Sequence, residues 1–253
     1  MKYFTNHKQK CYYKQVKHKG NKVKNNIKKA FTLAEVLITL VIIGVVAAIT
    51  VPTIHNNSIQ KQTITQLRKV HSELAQAVTM SSIKYGYPDT WDYELNHYNF
   101  FKKYLFPYIQ ISQEKVGNVK KLTKYYELSG REEKSLYVMQ TNSQVVNLAS
   151  GNQVFIGEIS GIINTPNRRC YMFDVNGYRK PNKIGRDLYM FCIDSKRGVL
   201  PFSAENNEGQ SITLTREQLK KGNTWSCNKN SVGLFCAALI MMDGWQMKDD
   251  YPW

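Results

Sequence analysis

Three sets of residues in this 253-residue chain have types and spacings that could do chemistry. The first is a lone carboxylate, Glu35, inside KKAFTLAEVLITLVIIGVVAAITVPTI, residues 28–54. An ionised carboxylate in an apolar run costs a few kcal/mol even on lenient membrane-insertion scales, about 2.5–3.5, so it needs a partner or a function. No Lys or Arg follows within 25 residues, so the expected partner comes from elsewhere, and a free amine made by cutting the chain before Phe31 would serve.

The second set is a loop, D-x-N-G-x-x-x-P-N-x-x-G-x-D, running from Asp174 to Asp187 within CYMFDVNGYRKPNKIGRDLYMFCI. The oxygen donors Asp174, Asn176 and Asp187, with backbone carbonyls, are the ligand type that holds Ca²⁺. The spacing is not that of an EF-hand, because Gly177 falls fourth instead of sixth and Gly185 stands where the bidentate Glu belongs. The same residues describe a hairpin held by Asx-turn hydrogen bonds, the plainer reading and the one the spacing favours.

The third set is four cysteines, Cys170, Cys192, Cys227 and Cys236; a fifth, Cys11, sits in the basic N-terminal arm. An even number in an exported domain points to disulfides, with three connectivities open. Cys170 with Cys192 would join two adjacent strands and Cys227 with Cys236 would close a short loop, the expected pairing. Zinc is disfavoured, since there is no C-x-x-C and all five His precede these cysteines.

Catalytic signatures are missing. There is no G-x-S-x-G, Walker A loop or H-E-x-x-H, and the S-x-x-K at Ser81–Lys84 stands alone. The expectation is a non-enzyme that requires no cofactor, with Ca²⁺ the one candidate.

The elements that must position these groups begin with charge. Residues 1–30 hold ten Lys and no Arg, Asp or Glu, so +10 of the net +16 lies in that arm and +6 remains elsewhere, too dispersed to support DNA as a partner. A basic arm ahead of an apolar run stays cytoplasmic and places the C-terminus outside. Phe31 to Val51 carries a single charge and as a helix would span about 31 Å at roughly 1.5 Å per residue, close to the bilayer core. Pro52 follows, where such a helix would end or kink. Beyond it Leu67, Val70, Leu74, Ala77 and Ser81 recur at spacings of three and four, an amphipathic continuation to Gly86 and Pro88.

Residues 89–134 read as an irregular connection in which Phe100, Phe101, Leu105 and Ile109 suggest a short amphipathic helix. Lys102 and Lys103 among aromatics could meet nucleic acid, but packed aromatics with solvated lysines is the better reading. Strands are expected at 135–140, 152–159, 170–175 and 187–193. Ala237 to Ile240 would form a buried helix turn or strand, and Trp245, Tyr251 and Trp253 would form an aromatic cluster, docked on the head or, as the alternative, touching a neighbouring subunit. The fold class is α+β, a long N-terminal α-helix laid on an antiparallel β-sheet head.

With these residues in place, the N-terminus resembles the type IV pilin and type II secretion pseudopilin superfamily. Lys28, Lys29 and Ala30 precede Phe31, and Glu35 is fifth if the cut falls between Ala30 and Phe31; Gly44 and Pro52 then fall where pilins commonly have Gly and Pro. The resemblance implies cleavage after Ala30 by a prepilin peptidase, N-methylation of Phe31, and Glu35 paired with the amino end of a neighbouring subunit in a filament. Ala30 departs from the usual Gly, and the leader is longer than most. The 174–187 pattern and the C-terminal CAALIMMDGWQMKDDYPW also resemble pseudopilin-like heads.

The implied organisation is a cleaved leader at 1–30, a membrane-spanning and filament-core half-helix at 31–54, an amphipathic half-helix at 55–86 and an exported head at 87–253. The chain would sit single-pass in a bacterial inner membrane, meet the assembly platform and other pilin subunits, and pass into an extracellular or periplasmic filament. The alternative function is a membrane-anchored exported binding or enzymatic domain that never assembles. A rival cut after Ala48 by an ordinary signal peptidase would release a soluble protein but leave Glu35 unexplained.

Overall fold

The computed structural model describes residues 31–116, 124–132, 144–157, 167–177, 179–203 and 212–253. The strand expected at 135–140 lies outside them. Two compact units make up the chain, residues 1–50 and residues 51–253.

One helix, α1 (Leu33–Tyr85), contributes to both units. In the first unit its apolar residues are exposed all round, as expected of a segment without a core of its own. It is long and apolar enough to cross a membrane. Pro52 lies within α1 and does not end it. In the second unit the stripe Leu67, Val70, Leu74, Ala77 and Ser81 is buried throughout, as its spacing predicts. The helix stops where Gly86 adopts φ +82° and donates its N–H to the Ser82 carbonyl at 3.0 Å, a left-handed cap that a side chain would strain.

Among the described residues the second unit also holds an antiparallel meander with spatial order β1-β2-β3-β4-β5-β6. The strands are β1 (Ile111–Val116), β2 (Gln144–Leu148), β3 (Gln153–Ile156), β4 (Arg168–Asp174), β5 (Leu188–Asp194) and β6 (Gly198–Pro201). β3, β4 and β5 fall on three of the expected segments; β1 lies in the stretch read as a connection, and β2 and β6 lie where no strand was expected. Among the described residues β1 and β6 are the edges of the sheet. An edge strand tolerates polar residues and proline, as in ISQEKV and GVLP, so neither carries the apolar density that marks a central strand.

The central pair is buried at every position. Register places Tyr171 opposite Phe191 and Phe173 opposite Tyr189, so these four share a face. There Tyr171 meets Phe101 of the short helix α2 (His97–Tyr104) at 4.8 Å, and Phe191 meets His71 of α1 at 5.6 Å. On the opposite face Arg168 lies over Phe202, which packs on Phe235. Among the described residues two short α-helices follow the sheet. α3 (Arg216–Lys220) opens with a capping box between Thr215 and Gln218. α4 (Cys236–Met242) buries Cys236 through Ile240, which settles the earlier choice between helix turn and strand.

Candidate functional site

At the start of α1, Ala30 lies outside the described residues and Phe31 is exposed. Thr32 and Glu35 form a reciprocal pair. The Thr32 N–H donates to Glu35 Oε2 at 2.8 Å, the Thr32 hydroxyl donates to the same oxygen at 2.8 Å, and the Glu35 N–H donates to Thr32 Oγ1 at 3.2 Å. This is the T-x-x-E capping box, which satisfies N–H groups that the first helical turn leaves orphaned. It corrects the expectation that the carboxylate's partner must come from elsewhere. The signal is the T-L-A-E spacing itself, which sets Thr32 and Glu35 three residues apart. Both bonds fall on Oε2, and the cap uses the Thr32 N–H, so a cut before Phe31 would leave it intact.

In the head, the loop between β4 and β5 brings Asp174, Asn176 and Asp187 together. Asp174 ends β4 and its Oδ1 accepts the Asn176 N–H at 3.0 Å, an Asx turn. Asp187 closes the loop from the other side. Its Oδ2 accepts the Asn182 N–H at 2.7 Å and the Asn176 side-chain amide at 3.2 Å, and its Oδ1 accepts the Lys183 N–H. Burial, and then the neighbouring Asp187, push the Asp174 carboxyl up to about 8. Burial raises Asp187 to about 6 against the pull of these hydrogen bonds. Asp187 is therefore the organiser of the loop. Asp174 Oδ2 and Asn176 Oδ1 are buried atoms that accept no hydrogen bond from the described residues. Among the described residues no three His, Cys, Asp or Glu side chains gather in a metal-binding group.

Gly185 shows why this loop is tight. Its φ is +80°, and a Cβ there would stand 2.7 Å from Cys236 Sγ and 3.3 Å from Leu128 Cδ2. The Cys227–Cys236 disulfide is thus packed against the turn, and the Cys170–Cys192 disulfide bridges directly paired residues of β4 and β5. The C-terminal tail docks nearby: the Tyr251 hydroxyl donates to the Gly185 carbonyl, and Arg186 stacks over Trp253 at 4.5 Å. Trp245 instead meets His71 at 5.4 Å and Arg68 at 5.6 Å, so the three aromatics dock at two places and do not form one cluster.

Comparison with known proteins gives two matches. A family described as "Family of unknown function (DUF6613)" matches residues 53–253. The prokaryotic N-terminal methylation motif matches residues 25–51, the mark of a type IV pilin-like prepilin signal. No curated protein and no solved structure matches the chain.

Proposed function

We propose that this chain, which belongs to the DUF6613 family and carries a prokaryotic N-terminal methylation motif ahead of it, is a structural subunit of a type IV pilus or type II secretion-like filament. A prepilin peptidase cuts between Ala30 and Phe31 and the new amine of Phe31 is methylated. The apolar half of α1 holds the subunit in the inner membrane, with the head outside the cytoplasm, until it joins other subunits on the assembly platform.

The observation that carries this reading is the methylation motif set on a helix whose apolar residues are exposed on every face over Phe31 to Val51. An apolar surface of that extent requires lipid or a bundle of like helices. In a bundle, the Glu35 carboxylate caps its own helix through Oε2 and presents Oε1 to a neighbour's amine, a charge-assisted pair in a low-dielectric core.

A second reading has one observation in its favour: the capping box gives Glu35 a use within a single chain, so the carboxylate suits a plain membrane anchor too. The N-terminus and intact mass of the protein taken from membranes of its native host separate the two. A chain beginning at N-methylated Phe31 supports filament assembly. An uncut Met1 would support the anchor, and a start near Ile49 would overturn both by making the head a released protein.

A further inference from the structure

Within the second unit, α1 begins at Val51, where the apolar run ends. Between Glu35 and Glu73 the chain has no Asp or Glu, and the first Lys or Arg after Val51 is the exposed Lys61. Residues 59–66 of the helix, the β2–β3 turn and the β4–β5 loop border a cavity of about 220 Å³, and the only charged residues of its lining are Arg179 and Lys180. The two loops meet here, since a Cβ on Gly177 would lie 3.7 Å from the Gly151 carbonyl oxygen.

The charge at this end of the head is one-sided. Arg179 and Lys180 are exposed, and neither makes an ion pair among the described residues. Arg179 donates its Nε–H to the Asn176 carbonyl at 2.9 Å, which anchors the guanidinium and leaves its two terminal NH₂ groups for an outside acceptor. The neighbouring acids do not offset these cations. Burial pushes the Asp174 carboxyl up to about 8, so it is mostly protonated at neutral pH. The buried Asp187 accepts the Asn182 and Lys183 N–H groups and the Asn176 amide, and the half-buried Glu73 accepts the Ser150 hydroxyl. The loop's other bases, Lys183 and Arg186, are half-buried, the second stacked on Trp253, so Arg179 and Lys180 are its exposed charges.

Position selects the partner. At roughly 1.5 Å per residue, Ile59 lies about 12 Å along the helix from Val51, and Gln66 about 22 Å. The polar layer of a bilayer extends about 5–8 Å beyond the hydrocarbon core on each side. Lys and Arg carry their charge on long stems that reach toward such a layer, and an exposed charge acts over a Debye length of about 8 Å at physiological ionic strength. Cations held beside residues 59–66 therefore stand within reach of lipid phosphates. Arg pairs with phosphate through two N–H groups and Lys as a point charge, the chemistry that both side chains offer here.

We propose that Arg179 and Lys180, with Lys61 on the same stretch of α1, dock the head on anionic phospholipid, the headgroup phosphates meeting the guanidinium and ammonium groups at the mouth of the cavity. Each Lys or Arg near an anionic membrane surface strengthens such a contact about fivefold. The inference rests on the reading of Phe31 to Val51 as the membrane span, which the filament subunit and the plain anchor share. It goes beyond both by giving the head a lipid-facing side.

The test places the full chain in vesicles of phosphatidylcholine alone and of phosphatidylcholine with about one-third phosphatidylglycerol, and follows amide hydrogen exchange. The anionic lipid should slow exchange about threefold or more over residues 150–152 and 176–183, and the slowing should vanish near 1 M NaCl, where the Debye length falls to about 3 Å. Arg179→Gln with Lys180→Gln should remove the slowing and leave the Tm of the head unchanged, because both side chains are exposed. Lys196→Gln, an exposed cation of the β5–β6 turn beside the far end of α1, should leave the slowing intact. A chain that floats with both kinds of vesicle and exchanges equally in both overturns this inference alone. So does a folded double variant that is still slowed, or the same slowing produced by inorganic phosphate in neutral vesicles, which would make the partner a soluble anion. A chain that floats with neither vesicle overturns the membrane span, and this inference with it.

Discussion

The two halves of α1 obey opposite rules. From Leu33 to Val51 the apolar side chains face outward everywhere, with Ile42 57% and Val45 55% exposed; from Leu67 to Ala77 they form a narrow stripe that is 0–2% exposed. Secondary structure is the same in both, so the helix itself does not distinguish them. What differs is the periodicity of the apolar residues, and it states which solvent each half needs: lipid or like helices for the first, the head's own core for the second.

Separate mutations should break the two halves separately. Leu74→Ala should carry the largest effect, destabilising the head by about 2–5 kcal/mol in denaturant unfolding while leaving membrane insertion unchanged. Ile42→Arg should do the reverse, with an insertion cost of about 3 kcal/mol in a membrane-partitioning assay and no change in the unfolding of the head. If Ile42→Arg loosened the head as much as Leu74→Ala does, the division would be wrong.

A pH profile sharpens the comparison within the second unit. Folded Asp174 titrates near 8 and folded Asp187 near 6, against about 3.8 for an ordinary Asp, so the folded state holds these protons more tightly than the unfolded chain. Their contribution to stability is therefore full below pH 4 and is lost as pH rises through 6 and then 8. The unfolding midpoint should fall from pH 5 to pH 9, and Asp174→Asn should remove the upper part of that fall. A wild-type profile that is flat across this range would contradict the burial of the pair.

The smallest thermodynamic effects belong to the first turn. Thr32→Val removes the cap and should cost about 1 kcal/mol of local helix stability, measured as amide exchange over the first turn. Glu35→Gln keeps an oxygen for the cap but removes the charge. Filament incorporation should survive Thr32→Val and drop at least tenfold with Glu35→Gln; equal incorporation of both would leave Glu35 a capping residue only.

Much of the molecule was legible because it depends on neighbours in sequence. The apolar run, the buried stripe from Leu67 to Ser81, the stop at Gly86 and the apolar strands β4 and β5 all follow from periodicity and turn chemistry over a few residues. T-L-A-E belongs to the same class, since its partners are three residues apart. The tertiary structure alone decided the rest. β1 and β6 are strands because β2 and β5 offer them hydrogen bonds, and their own residues do not specify it. In the 174–187 loop, composition named the oxygens but not their duties. Asp187 became the organiser because the chain returns the N–H groups of Asn182 and Lys183 to it. Local pattern determines which solvent and which backbone a segment prefers; only the fold determines which buried oxygen is left without a donor.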